Sequence, residues 1–273
     1  RSPSRGLGDV YKRQTLYSGQ FFNFKEYNSL FTIINGQKIF QVKQEGNILY
    51  YENILEESLK EFLGLNFDHK KLTYFMHDSY FKEAYNHYLG LKILKCDLFQ
   101  TIISFVCSAA ANQKKIENNI QLISEKFGLY NEKYDIYLFP TPIQLSSNIH
   151  ALELLKESKV GYRAKYILSI AEKISKNPEL LTQISHASYY TSHNLLTSFD
   201  GVGSKVADCI CLFAIHHFEA FPVDTWIKKI LFSWYDIEGN QKQLELQSKE
   251  KFGMYGGYIQ QYLFHYAREK KLL

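Results

Sequence analysis

Between Gln37 and Lys43 apolar and polar residues alternate, with Phe40 and Val42 on one face and Gln41 and Lys43 on the other. That period of two marks a half-buried strand. It follows Asn35-Gly36, the strongest short signal for a two-residue hairpin turn. Leu30 to Ile34 reads as the partner strand and Phe21 to Phe24 as the one before it. A second turn at Gln44-Glu45-Gly46 leads into Asn47 to Tyr51. Successive strands joined by tight turns predict an antiparallel meander, not a parallel α/β sheet. From about residue 54 the pattern becomes helical. Asp78-Ser79 opens an amphipathic stretch to Leu89, ended by Gly90, and Asp97 caps an apolar run from Leu98 to Ala109. Further helices are predicted over Ile116–Phe127, Ile143–Lys156, Arg163–Ser175 and Ser188–Leu196, with Pro140-Thr141-Pro142 a loop. The fold class is therefore α+β, an N-terminal antiparallel sheet packed on an all-helical body. Their join falls within residues 53 to 95, and the lack of a Gly/Ser-rich spacer predicts close packing. No internal repeat or low-complexity tract interrupts the pattern.

A chain of 273 residues with 45% hydrophobic content can bury one large or two modest cores, and 21 Tyr with 20 Phe make aromatic packing heavy. No window approaches the roughly 18 consecutive apolar residues of a membrane span, and no secretory signal is visible. Cys96, Cys107, Cys209 and Cys211 form no Cys-x-x-Cys pair and no disulfide framework. A reduced, intracellular, metal-free enzyme is expected. The first 14 residues, Arg1 to Gln14, resemble a translated sequencing-library adapter and are expected to be foreign, with the start of the genuine chain missing. This divides the sequence into a foreign segment (1–14), a sheet domain truncated at its start (15–95) and a helical domain (96–273). The segment also carries three of the chain's four net positive charges, Arg1, Arg5, Lys12 and Arg13 against Asp9. Bulk charge is thus no argument for a nucleic-acid partner, and an electropositive face must come from local placement.

The chemistry concentrates in Leu195-Leu196-Thr197-Ser198-Phe199-Asp200-Gly201-Val202-Gly203-Ser204-Lys205-Val206-Ala207-Asp208-Cys209-Ile210, followed by Pro222-Val223-Asp224-Thr225. One helix ends in a turn with two glycines and another begins at once. Gly201 and Gly203 lack a Cβ, so the turn can take positive φ and let its backbone approach another molecule closely. Its amides and those of the new helix form an anion site suited to phosphate. Lys205 lies in the first turn of the second helix, where the positive end of the helix dipole disfavours further positive charge. Asp224 follows Pro222 at a helix start. Taken singly, such a lysine is usually a solvated charge and such an aspartate an N-cap.

Together, the run Gly-Val-Gly-Ser-Lys-Val-Ala-Asp-Cys-Ile-Cys and the later Pro-Val-Asp resemble the 8-oxoguanine DNA glycosylase family of the helix-hairpin-helix Gly/Pro-Asp superfamily, with the hairpin at about 188–215. The resemblance runs from about residue 18 to 266. It implies a TBP-like sheet domain on a helical body, with Lys205 as nucleophile and Asp224 as electrostatic stabiliser. Ser18-Gly19-Gln20 resembles the family's Ser-Gly-Gln, whose glycine carbonyl accepts the N7 proton that separates 8-oxoguanine from guanine. Tyr255 to Phe264 resembles the segment lining the extruded-base pocket. Gln260 there takes the base edge, with Phe264 and Cys209 on its two faces and Phe213 beside them. Val160-Gly161-Tyr162-Arg163-Ala164 resembles the family's Gly-Tyr-Arg-Ala, implying that Tyr162 wedges beside the flipped nucleotide and Arg163 reads the orphaned cytosine. The turn at Gly201 and Gly203, with Val206, would hold DNA phosphates.

The pattern breaks at four places. Ala110 stands where a gap-filling asparagine is usual, and Lys115 where a second cytosine-reading arginine is usual. Trp226 replaces a common phosphate-binding histidine, and Ala267 its common aspartate partner. The first two departures imply weaker discrimination of the base opposite the lesion. The function implied is a bifunctional DNA glycosylase and AP lyase for 8-oxoguanine opposite cytosine, acting as a monomer on damaged duplex DNA. No cofactor is called for beyond room for a monovalent cation at the hairpin. Such an enzyme would work in the cytoplasm or nucleoid of a prokaryote, or the nucleus of a eukaryote. Two alternatives stay open. One is a related glycosylase for another oxidised or ring-opened base; the other is a non-catalytic helix-hairpin-helix module that grips DNA backbone.

Overall fold

A computed structural model describes residues 15–46, 48–108 and 111–270. The 1–14 segment, Asn47 and Ala110 lie outside them. Four antiparallel strands, β1 (Phe24–Tyr27), β2 (Leu30–Asn35), β3 (Lys38–Glu45) and β4 (Ile48–Glu52), form one sheet in sequence order. Asn35 pairs with Lys38 across the predicted hairpin. At Gly36 φ is +61°, and a Cβ would lie 2.7 Å from the Asp97 carboxyl, so the turn requires glycine twice over. That turn also docks the sheet. Gly36 N donates to Gln100 Oε1 (2.8 Å) and Asp97 N donates to Asn35 Oδ1 (2.6 Å), stitching the hairpin to the start of a helix. The first strand begins at Phe24 rather than at Phe21. Phe21 and Phe22 are both buried, one in the core beneath the sheet and the other in the helical core, a split that regular alternation does not anticipate.

The helices follow as α1 (Glu56–Phe62), α2 (Ser79–His87), α3 (Leu98–Cys107), α4 (Gln113–Phe127), α5 (Pro142–Ser146), α6 (Ala151–Leu155), α7 (Arg163–Lys176), α8 (Glu179–His186), α9 (Tyr189–Thr197), α10 (Ser204–Ile210), α11 (Thr225–Tyr235), α12 (Gln241–Phe252) and α13 (Gly256–Lys270). The Asp78 and Asp97 carboxylates cap α2 and α3 as predicted, accepting from Phe81 N and Gln100 N. The continuous helix predicted over Ile143–Lys156 is instead two short ones. A capping box between Thr141 and Gln144 starts α5, while Asn148 accepts from His150 N and turns the chain before α6. Under the sheet lie Leu16, Phe21, Phe31, Ile33, Phe40, Val42, Leu59 and Phe62. Leu72, Phe81, Ala84, Leu91 and Ile93 belong instead to the large helical core, where α2 packs on α13. The stretch before α3 thus serves both cores, because Leu94 and Cys96 return to the one under the sheet. Among the described residues no helix is long and apolar enough to cross a membrane.

Candidate active site at the hairpin

Helices α9 and α10 form the hairpin. Ser188 caps α9 and the chain turns through Ser198 to Gly203. The two glycines differ. Gly201 has φ +79°, and a Cβ there would meet the Tyr166 ring at 2.5 Å. Gly203 has ordinary dihedrals (φ −85°, ψ 175°), caps α10 and has nothing within 4 Å of an added Cβ. The positive φ expected of the turn therefore falls at Gly201 alone, the one of the two that backbone conformation demands. Gly203 leaves the mouth of α10 open to an approaching group. Asp200 is held by Ser169, whose Oγ donates to its Oδ2 (2.9 Å), and Lys173 Nζ donates to the Ser198 carbonyl (3.3 Å). The turn is thus fastened from α7.

Beside the hairpin lies a cavity of about 800 Å³, of the size that takes a small molecule or an extruded base. Lys205, Val206, Cys209 and Phe213 line it from the hairpin side, and Asp224 with Trp226 from the start of α11. Gln260 and Phe264 line it from α13, and Ser18-Gly19 from the chain entering the sheet. Ser18 and Lys205, 187 residues apart in the chain, therefore meet at one place. Lys205 Nζ lies 5.6 Å from the centre of the Phe105 ring and beside the Cys209 thiol. Burial pushes that thiol up to about 11, with the lysine charge acting against the shift. Cys209 is thus neutral at physiological pH and presents a polarisable, uncharged wall. The Asp224 side chain accepts from Ile227 N (2.8 Å), so its expected capping role and its place in the cavity coexist.

Gln260 is almost fully buried; its Nε2 donates to the Pro222 carbonyl (3.2 Å), and Gln261 Nε2 donates to its Oε1 (2.6 Å). Phe213 stacks on Phe105 with ring centres 5.5 Å apart. Gly19 has φ +82° and faces open cavity, where an added Cβ would meet only Gln113 Oε1 at 4.0 Å. A glycine there leaves its backbone approachable from the cavity.

Other expected contacts lie outside this lining. Tyr162 is 65% exposed, at the start of α7. Arg163 is 6% exposed, its Nη1 donating to Val160 O (3.3 Å) and its guanidinium 4.9 Å from the Tyr162 ring centre. It is turned inward, against the ordinary expectation for an arginine at a helix start. Lys115 is exposed in the first turn of α4, and Ala267 is buried on α13. Phe22, Phe105, Lys228 and Arg268 also line the cavity but were not singled out from sequence. Phe105 sits in a uniformly apolar helix, so nothing local marks it; Arg268 lies one turn beyond Phe264, a spacing that places both on one face. Among the described residues no group of three or more His, Cys, Asp or Glu side chains could hold a metal ion. All four cysteines are buried free thiols.

Residues 8–102 match the family model for the N-terminal domain of 8-oxoguanine DNA glycosylase. A probable N-glycosylase/DNA lyase of Methanothermobacter thermautotrophicus is 28% identical over 243 residues, covering 81% of this chain and 78% of that protein. The 8-oxoguanine glycosylase/lyase of Clostridium acetobutylicum, in complex with duplex DNA bearing cytosine opposite 8-oxoguanine, aligns with a TM-score of 0.87 and 32% identity, covering 96% of this chain and 93% of that one. A DNA complex of MBOgg1 aligns with a TM-score of 0.89 and 30% identity, covering 98% and 95%.

Proposed function

The chain belongs to the 8-oxoguanine DNA glycosylase/AP lyase family, and on that premise we propose how its residues divide the work. The single observation that carries the proposal is the convergence of Lys205, Asp224, Cys209, Gln260, Phe264 and Gly19 on one cavity. A purine cannot react inside the stack, so it must be extruded, and the cavity is of a size to receive it. There Phe264 stacks on one face of 8-oxoguanine and the neutral Cys209 thiol closes the other. Gln260 meets its Watson–Crick edge, and the Gly19 carbonyl accepts the N7 proton. The amide groups at Gly201, Gly203 and Val206 grip phosphates and position the duplex without reading sequence. Tyr162 wedges into the helix, and Arg163 swings out toward the orphaned cytosine.

The Lys205 amine attacks C1′ through its lone pair as the bond from C1′ to the base nitrogen breaks, and the departing base takes the electron pair and one of the two amine protons. Opening of the sugar ring, with O4′ keeping the electron pair of the broken C1′–O4′ bond and taking a proton from water, gives a protonated Schiff base between Lys205 Nζ and C1′. This acidifies C2′–H, and loss of that proton expels the 3′ phosphate by β-elimination. Asp224 stabilises the positive charge that develops on the sugar. The enzyme acts as a monomer wherever the genome is kept, and calls for no cofactor beyond a monovalent cation at the hairpin. The experiment is excision from duplexes carrying 8-oxoguanine or guanine opposite each of the four bases. Release of 8-oxoguanine but not guanine supports the reading. With alanine at 110 and lysine at 115, the rate opposite adenine stays within about tenfold of that opposite cytosine, one lost specific contact being worth roughly that factor or more. A steep fall opposite adenine refutes the opposite-base argument, and release of a different base alone refutes the substrate.

A further inference from the structure

Behind the cavity, a polar cluster joins the two catalytic segments through α12. Gln241 and Glu245 stand one turn apart on that helix, so both point the same way. Glu245 Oε2 accepts from Ser204 Oγ (2.8 Å), and Glu245 Oε1 accepts from Gln241 Nε2 (2.8 Å). The same Gln241 Nε2 donates to the Val223 carbonyl (3.2 Å), which uses both of its protons. Ser204 is the residue before Lys205, and Val223 the residue before Asp224. The Ser204 hydroxyl has one proton and donates it in the hydrogen bond to Glu245. Its 3.1 Å contact with His193 Nε2 is therefore a bond donated by the imidazole, which places the His193 proton on Nε2. His193 in turn lies 3.8 Å from the buried Asp208 carboxylate on α10. None of Ser204, Gln241, Glu245 or His193 lines the cavity.

We propose that Glu245 is a positioning residue for catalysis: through Ser204 on one side and Gln241 with the Val223 carbonyl on the other, it fixes the distance between Lys205 and Asp224. The inference rests on the roles given to those two residues above. Nucleophile and stabilising carboxylate come from chain segments separated by a loop, and their relative placement must hold to within a fraction of an ångström. Gln260 holds the neighbouring Pro222 carbonyl, so the loop before Asp224 is gripped from α12 and α13 alike. A carboxylate suits the junction because it only accepts. It can accept a hydrogen bond from Ser204 and another from Gln241 at once, whereas an amide would face one of them with a second donor.

The experiment is borohydride trapping on a duplex with a preformed abasic site, which needs attack by Lys205 but no base recognition. Wild type, Glu245→Ala and Glu245→Gln are compared at saturating enzyme, with duplex affinity and melting temperature measured alongside. Glu245→Ala is expected to trap about 10- to 100-fold more slowly, the usual result of an ångström-scale misplacement. Glu245→Gln, nearly isosteric, falls between, and Kd for the duplex changes by less than about threefold because no DNA contact is removed. If Glu245→Ala does not fold, Glu245→Gln and Gln241→Ala carry the test. Trapping rates within twofold of wild type in folded variants, or a loss seen in affinity but not in rate at saturation, overturn the proposal. No trapping by the wild type removes the Lys205 assignment and this inference with it, whereas trapping by the wild type without 8-oxoguanine excision removes only the substrate.

Discussion

Alanine at Gly201 and alanine at Gly203 should produce different defects. At Gly201 the substitution forces an L-residue to φ +79° and puts a methyl 2.5 Å from Tyr166 Cδ2 and 3.1 Å from Tyr166 Cβ. The left-handed conformation costs about 1–2 kcal/mol. Displacing a packed ring costs a further ~1–3 kcal/mol, less whatever the tyrosine recovers by rotating. Gly201→Ala is therefore expected to lose about 2–4 kcal/mol of folding stability. At Gly203 the backbone suits any residue and the space is empty, so Gly203→Ala stays within about 1 kcal/mol of wild type, the usual range for changing an N-cap. Its added methyl instead projects into the opening at the start of α10. There it blocks a phosphate from one or two amide donors, each charge-assisted bond being worth roughly 1.5–3 kcal/mol. Duplex affinity should fall about 10- to 100-fold with little change in the unfolding midpoint. Guanidinium unfolding and fluorescence anisotropy with an abasic-analogue duplex measure the two quantities. A Gly203→Ala protein that binds as wild type does, or a Gly201→Ala protein of unaltered stability, would refute the division of labour.

Two further predictions follow from the cavity and from burial. Phe264→Ala removes a stacking wall worth roughly 1–3 kcal/mol per base, so 8-oxoguanine excision should drop about 10- to 100-fold while trapping on an abasic duplex stays near wild type; equal losses on both substrates would contradict the assignment. Burial holds the imidazoles of His69, His216 and His265 down at about 4. In the unfolded chain they take up protons near pH 6.5, so their stabilising contribution is present above that pH and lost as pH falls toward 4, by up to about 1.4 kcal/mol per pH unit for each. The buried Asp97 and Asp208 carboxyls are pushed up and act in the opposite sense, their contribution being lost as pH rises through their folded values. Guanidinium melts at pH 7 and pH 5 should show lower stability at pH 5, and equal or higher stability there would count against the burial of these histidines.

Much of the architecture was legible because its signals are local. Asn35-Gly36 needs only its own dihedrals, and Asp78, Asp97, Ser188 and Asp224 cap helices within three residues of themselves. The break between α5 and α6 was missed because the apolar spacing from Ile143 to Leu155 suits one helix, and capping by Thr141 and Asn148 overrides it. Gly201 and Gly203 read alike in sequence, yet tertiary contact with Tyr166 separates them. Arg163 looks solvated at a helix start but is buried, its guanidinium donating to the Val160 carbonyl three residues back, and no residue type or spacing signals that burial. The bridge from Ser204 through Glu245 and Gln241 to Val223 carries no motif at all. Its members have neither the spacing nor the composition of a known pattern, and only the placement of α12 between the hairpin and the Asp224 loop brings them together.

Lys205 becomes covalently joined to the sugar in the mechanism proposed above. Borohydride trapping on an 8-oxoguanine:cytosine duplex, comparing the wild type with Lys205→Gln, tests it most directly. The wild type should give a covalent protein–DNA species that is absent from the variant, while the variant still binds the duplex. An equal yield from Lys205→Gln would assign the Schiff base to another amine, and no trapped species from folded wild-type protein would contradict the lyase mechanism itself.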